Sequence, residues 1–280
     1  MRFFIPTSMS DDIELSLDSI FTEPPRPPTP EPTTTVYTRE LQREIAPEEW
    51  KTIKIRLVGS HPLWGNYLWN AARAFASYLD ENSELCLGRN VLELGAGGAL
   101  PSIVAAKNGA RQVVVTDYPD DELVRNMLYN IEENIPSSDR HRISVKGYIW
   151  GRPVQPLLDE LGSTEGLNSG FDLVILSDLV FNHSQHDALL TTCEQSLSSS
   201  PQPKGSSQTP SVLVFYTHHR PHLAHRDMEF FSKARDRGWH CEEILTRTFP
   251  PMFPEDSGEE SVRSTVHGWR LVRLDSLLVC

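Results

Sequence analysis

Apolar positions along the chain follow two periods. Short runs rich in Val, Ile and Leu, bounded by Gly, Pro, Asn or Asp, predict strands at 52–58, 90–94, 112–116, 142–147, 171–176, 212–216, 239–245 and 266–271. Between the middle ones, apolar residues three and four apart predict helices at 66–81, 101–108, 121–134, 185–196 and 221–237. Strand and helix take turns there, which implies a doubly wound α/β fold, mostly parallel in its sheet and covered by helices on both faces.

Neither period reaches the first part of the chain. Six of the nine residues at 24–32 are proline, which fixes φ and removes backbone donors, so extended polyproline conformations are expected. An acidic flank with a short amphipathic piece at 13–21 precedes this run and a Thr-rich flank follows it, and residues 1–49 read as an acidic, proline-rich disordered tail ahead of one domain at 50–280. The run reads as a solvated tether, with a PxxP ligand as the alternative. The segment at 198–210 has no large apolar residue and reads as a surface loop.

Charge narrows the partners. The 280 residues carry 26 Lys+Arg against 38 Asp+Glu, a net of -12, so no basic surface for nucleic acid is expected. Four scattered cysteines lack ligand or disulfide spacing, and no apolar run is long enough for a membrane span. A cytoplasmic monomer with no metal is expected.

Candidate chemistry starts at VLELGAGGALP, a buried-type strand running into glycines 95, 97 and 98 and then a helix with Pro101 near its start. Asp117 ends the next strand, where a carboxylate can accept both hydroxyls of a ribose. A dinucleotide site wants a small residue at position 100 for close helix packing, and Leu100 stands there. S-adenosylmethionine has no phosphate to cradle; it needs close backbone approach and a strand-end acid, a use that Glu93 also suits.

The blocks ELGAGGALPSIVAAKNGARQVVVTDYPDDELVRNMLYNI, KGYIWG, DLVILSDLVFNHSQH and FYTHHRPH resemble the family-16 seven-β-strand S-adenosylmethionine-dependent methyltransferases, from about Trp50 onward. The resemblance implies a seven-stranded class I methyltransferase sheet and S-adenosylmethionine as cofactor. It places Gly95, Ala96 and Gly97 beside the methionyl part, Asp117 on the ribose, Trp150 against the adenine, Ser177 as a further contact and Trp64 closing over the cofactor. Asp178 and Phe181 match the acid-x-x-aromatic motif at the methyl-transfer site, where the acid orients the acceptor amine and the ring walls its channel; phenylalanine stands where the family often has tyrosine. Within the family the likeness is strongest to fungal members, and it implies methylation of the N-terminal amine and adjacent lysine of translation elongation factor 1-alpha.

Other readings stay open at this point. Trp64 and Trp150 could be core residues, and Asp178 could cap the next helix. The histidines at 218, 219, 222 and 225 fit a loop bordering the substrate entrance better than a metal site, since methyl transfer needs no Lewis acid. A small-molecule N-methyltransferase acting on a nicotinamide-like pyridine, or a non-catalytic binding protein of the same fold, are the alternative functions.

Overall fold

The computed structural model describes residues 30–40, 46, 49–162, 170–199 and 209–274. The piece at 13–21, most of the proline run and most of the loop at 198–210 lie outside those residues. Alternation of Ile53, Ile55 and Leu57 with polar neighbours gives a strand with one buried face, β2 (Thr52–Leu57). It does not join the main sheet. It pairs antiparallel with β1 (Thr33–Thr38), which sets Tyr37 opposite Ile53.

β1 corrects the expected boundary at residue 50, because it lies in the Thr-rich flank assigned to the tail, and Glu31–Cys280 is one compact unit. Few side chains anchor it, which is why the local pattern is silent. Tyr37 is buried and shares a 3.0 Å hydrogen bond with the Ser77 hydroxyl, while Arg39 donates to both carboxylate oxygens of Asp80 at 2.6 and 2.9 Å and to Glu49 at 2.6 Å. Ser77 and Asp80 are distant in sequence, and tertiary contact decides strand formation here more than propensity does.

Among the described residues the other seven strands form one sheet: β3 (Asn90–Leu94), β4 (Gln112–Asp117), β5 (Ile143–Gly147), β6 (Leu173–Ser177), β7 (Ser211–Thr217), β8 (Trp239–Thr248) and β9 (Thr265–Arg273). Their order is β5-β4-β3-β6-β7-β9-β8, parallel from β5 to β7, with β9 antiparallel to both its neighbours. β3 and β7 are buried at every position, as fully covered parallel strands must be. Helices α1 (Asn70–Glu81), α2 (Leu100–Lys107), α3 (Asp121–Asn134), α4 (Gln155–Leu158), α5 (His186–Ser196), α6 (Ala224–Asp236) and α7 (Glu260–Ser264) complete the fold. The sheet separates two apolar clusters, one containing Phe75, Ile103 and Phe215, the other Phe171, Leu190 and Phe231.

Two local features position the site. The helix expected from residue 66 begins only at Asn70, because Trp64 takes a left-handed φ of 55° and Trp69 is extended, which leaves 64–69 as a loop. On α3, Asn126, Asn130 and Asn134 recur every fourth residue and face the open edge of β2. Asn134 accepts from the Lys54 amide at 3.0 Å and donates to its carbonyl at 2.7 Å, and Asn130 repeats the pattern on Arg56 at 2.8 Å for each bond. Asn126 adds a 2.9 Å donation to the Arg56 carbonyl. The side-chain amides thus stand in for a third strand and satisfy an edge that would otherwise be open. Asn130 Nδ2 also donates to the Gly98 carbonyl at 3.1 Å, which ties this edge to the loop after β3.

Candidate active site

Because β3 lies between β4 and β6, the chain turns one way from β3 to β4 and crosses back to reach β6, and the carboxyl ends of these strands open a crevice. A cavity of ≈ 630 Å³ fills it. Trp64, Gly95, Ala96, Gly97, Asp117 and Trp150 all line it, and so do Ser177, Asp178 and Phe181. Residues from five separate stretches of sequence are therefore brought to one place.

The three glycines serve three ends. Gly95 has φ 62°, and a Cβ on it would stand 2.7 Å from Leu179 Cδ2 and 3.1 Å from Trp150 Cζ2. Gly97 has φ 52°, and its Cβ would meet no heavy atom within 4 Å. Gly98 needs no unusual φ, but its Cβ would lie 2.5 Å from Ile55 Cγ2, so its smallness lets the loop rest on β2.

Asp117 is buried at the end of β4; its Oδ2 accepts from the Gly97 amide at 2.7 Å and its Oδ1 from the Tyr118 amide at 2.7 Å. Each oxygen keeps a lone pair for a further donor. Burial pushes this carboxyl up from its usual range, against the pull of those two amide bonds. Glu93, credited above with a share in ligand binding, does not line the cavity. Its side chain is fully buried, where Oε2 accepts from both the amide and the hydroxyl of Ser102 and so fastens β3 to the first turn of α2. Burial, with Asp117 adding to it and the Ser102 bonds opposing it, pushes the Glu93 carboxyl up to about 8.

Neither tryptophan is ordinary core. Trp64 is 48% exposed, with its ring centroid 5.2 Å from that of Phe181, and Trp150 is half-buried against the second apolar cluster with one edge on the cavity. Asp178 caps no helix: the turn that follows starts at His183, and Asn182 makes no side-chain cap. Asp178 is instead a buried residue at φ 60°, its amide bonded to the Phe215 carbonyl at 2.7 Å. Its Oδ2 lies 2.8 Å from His219 Nε2 and its Oδ1 accepts from the Thr217 amide at 3.3 Å.

The histidine-rich loop after β7 takes part in this arrangement. His218 Nδ1 and His183 Nε2 each lie 2.7 Å from an oxygen of buried Asp227, which clamps the loops after β6 and β7 to α6. Arg220 reaches the cavity and donates to the Phe181 carbonyl at 3.3 Å. Leu63, Tyr67, Tyr118 and Ile149, none foreseen, form an exposed apolar rim with Trp64. For the first of these the signal was present in the density of aromatic residues in HPLWGNYLW, next to the tryptophan already selected.

A glycine-lined crevice with a strand-end acid at the carboxyl ends of a parallel sheet is the arrangement of a nucleoside-cofactor site. The chain belongs to the lysine methyltransferase family Methyltransf_16, whose model matches residues 50–237. It is 44% identical over 277 residues to "Protein N-terminal and lysine N-methyltransferase EFM7" of Cryptococcus neoformans var. neoformans, covering 95% of this chain and 91% of that one. It is 43% identical to the protein of the same name in Schizosaccharomyces pombe, covering 90% and 94%. Among solved structures, a putative S-adenosylmethionine-dependent methyltransferase from Streptococcus mutans has the same fold, with a TM-score of 0.50 at 16% identity over 82% of this chain and 57% of that one.

The chain is accordingly an S-adenosylmethionine-dependent protein methyltransferase. Its own geometry fits that cofactor: the space beyond Gly97 is open where a side chain would fill it, Asp117 keeps two acceptor positions, and the volume falls in the range of ligand pockets, roughly 300–1,000 Å³. Among the described residues no helix is long and apolar enough to cross a membrane.

Proposed function

We propose that the protein methylates the N-terminal amine and the adjacent lysine of translation elongation factor 1-alpha, in the cytoplasm. The observation that carries this reading is the 43–44% identity, over nearly the whole chain, to relatives named for both protein N-terminal and lysine methylation. The fungal resemblance of the sequence blocks supports elongation factor 1-alpha as the target. An exposed apolar rim on the cavity, and a chain of net charge -12, suit a protein acceptor carrying amines.

In this reading S-adenosylmethionine supplies an electrophilic methyl group on a sulfonium centre. Gly95, Ala96 and Gly97 would lie along its methionyl part, Asp117 would accept from the two ribose hydroxyls, Trp150 would flank the adenine, Ser177 would make a further contact and Trp64 would close over it. Asp178 would orient the acceptor amine, and Phe181 would wall the channel and attract the positive charge. The enclosure keeps water from the reacting groups.

Purified protein with methyl-labelled cofactor and elongation factor 1-alpha tests this, with nicotinamide as a parallel acceptor. Label in the first peptide of the factor, located by mass spectrometry, is the expected result. Label in nicotinamide alone, or in neither acceptor, would overturn the proposal.

A further inference from the structure

The carboxylate proposed to meet the acceptor amine is not alone. Asp178 is 5% exposed, and its Oδ2 is 2.8 Å from His219 Nε2. The His219 ring sits behind it, edge-on to Trp69 at a centroid distance of 4.8 Å, and does not line the cavity. The φ of 60° at Asp178 lies in the left-handed region, which residues other than glycine adopt less readily, and its surroundings hold the conformation. The Thr217 amide and His219 supply that hold from one segment, the end of β7 and the residues after it.

A buried carboxylate beside an acceptor amine acts in two opposing ways. It accepts an N–H and so aims the nitrogen, but its charge also favours the ammonium form, which has no lone pair to attack with. A cation on the far side of the carboxylate removes the second effect and keeps the first. We propose that His219 is a positioning residue for methyl transfer: it fixes Asp178 in the acceptor channel and cancels its charge, so that the carboxylate orients the amine without holding it protonated. This rests on the reading that Asp178 faces the acceptor.

The charged groups around His219 agree with that role. Burial alone would drive off its proton, but the charge and hydrogen bond of Asp178 outweigh it, Asp227 adds to them and Arg220 opposes, and the imidazole pKa is raised above its ordinary value. The proton therefore stays on His219 to higher pH than on an exposed histidine.

The test compares His219→Gln, which keeps a donor without the charge, with Asp178→Asn and the double variant, on an elongation factor 1-alpha N-terminal peptide. For His219→Gln, cofactor affinity by calorimetry stays near wild type and kcat falls. The acid limb of its kcat–pH profile moves up by about one unit or more, because the uncompensated carboxylate charge then favours the ammonium form of the acceptor. The double variant is no slower than Asp178→Asn alone, since His219 acts through Asp178. A uniform loss at every pH with an unmoved limb, or wild-type turnover in His219→Gln while Asp178→Asn is slow, overturns the inference. Wild-type turnover in Asp178→Asn overturns instead the reading on which it rests. An arm that needs no acceptor and survives misfolding of His219→Gln is NMR titration of the His219 imidazole, whose pKa drops in Asp178→Asn. An unchanged pKa there overturns the pairing.

Discussion

Replacing Gly97 by alanine separates a glycine that serves the fold from one that serves a ligand. At φ 52° an alanine costs ~1–2 kcal/mol in backbone conformation, partly offset by ~0.4–1 kcal/mol because the unfolded chain loses freedom. No packing penalty is added, since the new Cβ meets no heavy atom within 4 Å. The net loss of about 1 kcal/mol lowers Tm by ~2–4 °C in a domain of this size. Cofactor affinity suffers more, because the methyl group occupies space that the ligand needs, and overpacking of ~1–3 kcal/mol weakens binding about tenfold or more. Gly98→Ala is the control. Its Cβ would press on Ile55 from 2.5 Å, so it destabilises the fold by ~1–3 kcal/mol, with affinity of the folded protein near wild type. Differential scanning calorimetry and titration calorimetry on both variants give the answer. Wild-type affinity in Gly97→Ala, or equal losses of affinity in the two, would refute the assignment of the space beyond Gly97 to the cofactor.

Three further outcomes are expected. Asp117→Ala removes charged acceptors worth ~1.5–3 kcal/mol each before compensation by water, so cofactor affinity falls by tenfold or more on the scale of ~1.4 kcal/mol per decade; unchanged titration calorimetry in a folded variant would exclude the ribose role. Glu93 holds a proton in the folded state up to about pH 8 that the unfolded chain releases near 4.5, so native stability falls as pH rises between those values and the penalty is complete above them. The Tm of Glu93→Gln relative to wild type should therefore climb from pH 5 to pH 8, and a difference independent of pH would show that the carboxyl is not held protonated. Truncation of residues 1–45 removes β1 with Tyr37 and the Arg39–Asp80 pair, and lowers Tm, whereas a true tail would leave it unchanged.

Most of the main sheet and both halves of the cavity were legible because their signals are local. VLELGAGG declares a strand and the glycine turn that lines the cavity within eight residues, and Asp117 follows at the end of the next apolar run. The order of strands and the antiparallel β9 could not be read, since period says nothing about neighbours. β1 was missed because its anchors, Ser77 and Asp80, lie some forty residues away. Glu93 was misjudged for a related reason: two residues before a glycine loop an acid looks ligand-directed, but strand alternation turns its side chain away from the crevice and toward Ser102. The asparagines of α3 were visible at their spacing of four, yet a residue that ordinarily weakens helices carries no local hint that a strand edge waits opposite it. His219 was read as a loop residue, and nothing in the sequence signals its 2.8 Å contact with Asp178, 41 residues away.

The double duty of the Asn130 amide has a thermodynamic meaning. One NH2 group spans the Arg56 carbonyl in β2 and the Gly98 carbonyl in the glycine loop, so movement of either the β1–β2 unit or the loop strains a bond to the same side chain. The Lys54 and Arg56 amides are bonded by side chains rather than by a neighbouring strand, so their exchange with solvent is expected to follow the opening of that helix face. A ligand that binds only the closed loop raises the free energy of such opening by mass action. Occupancy of the methyl-donor site is thereby written into the hydrogen-exchange rates of a strand that touches none of it.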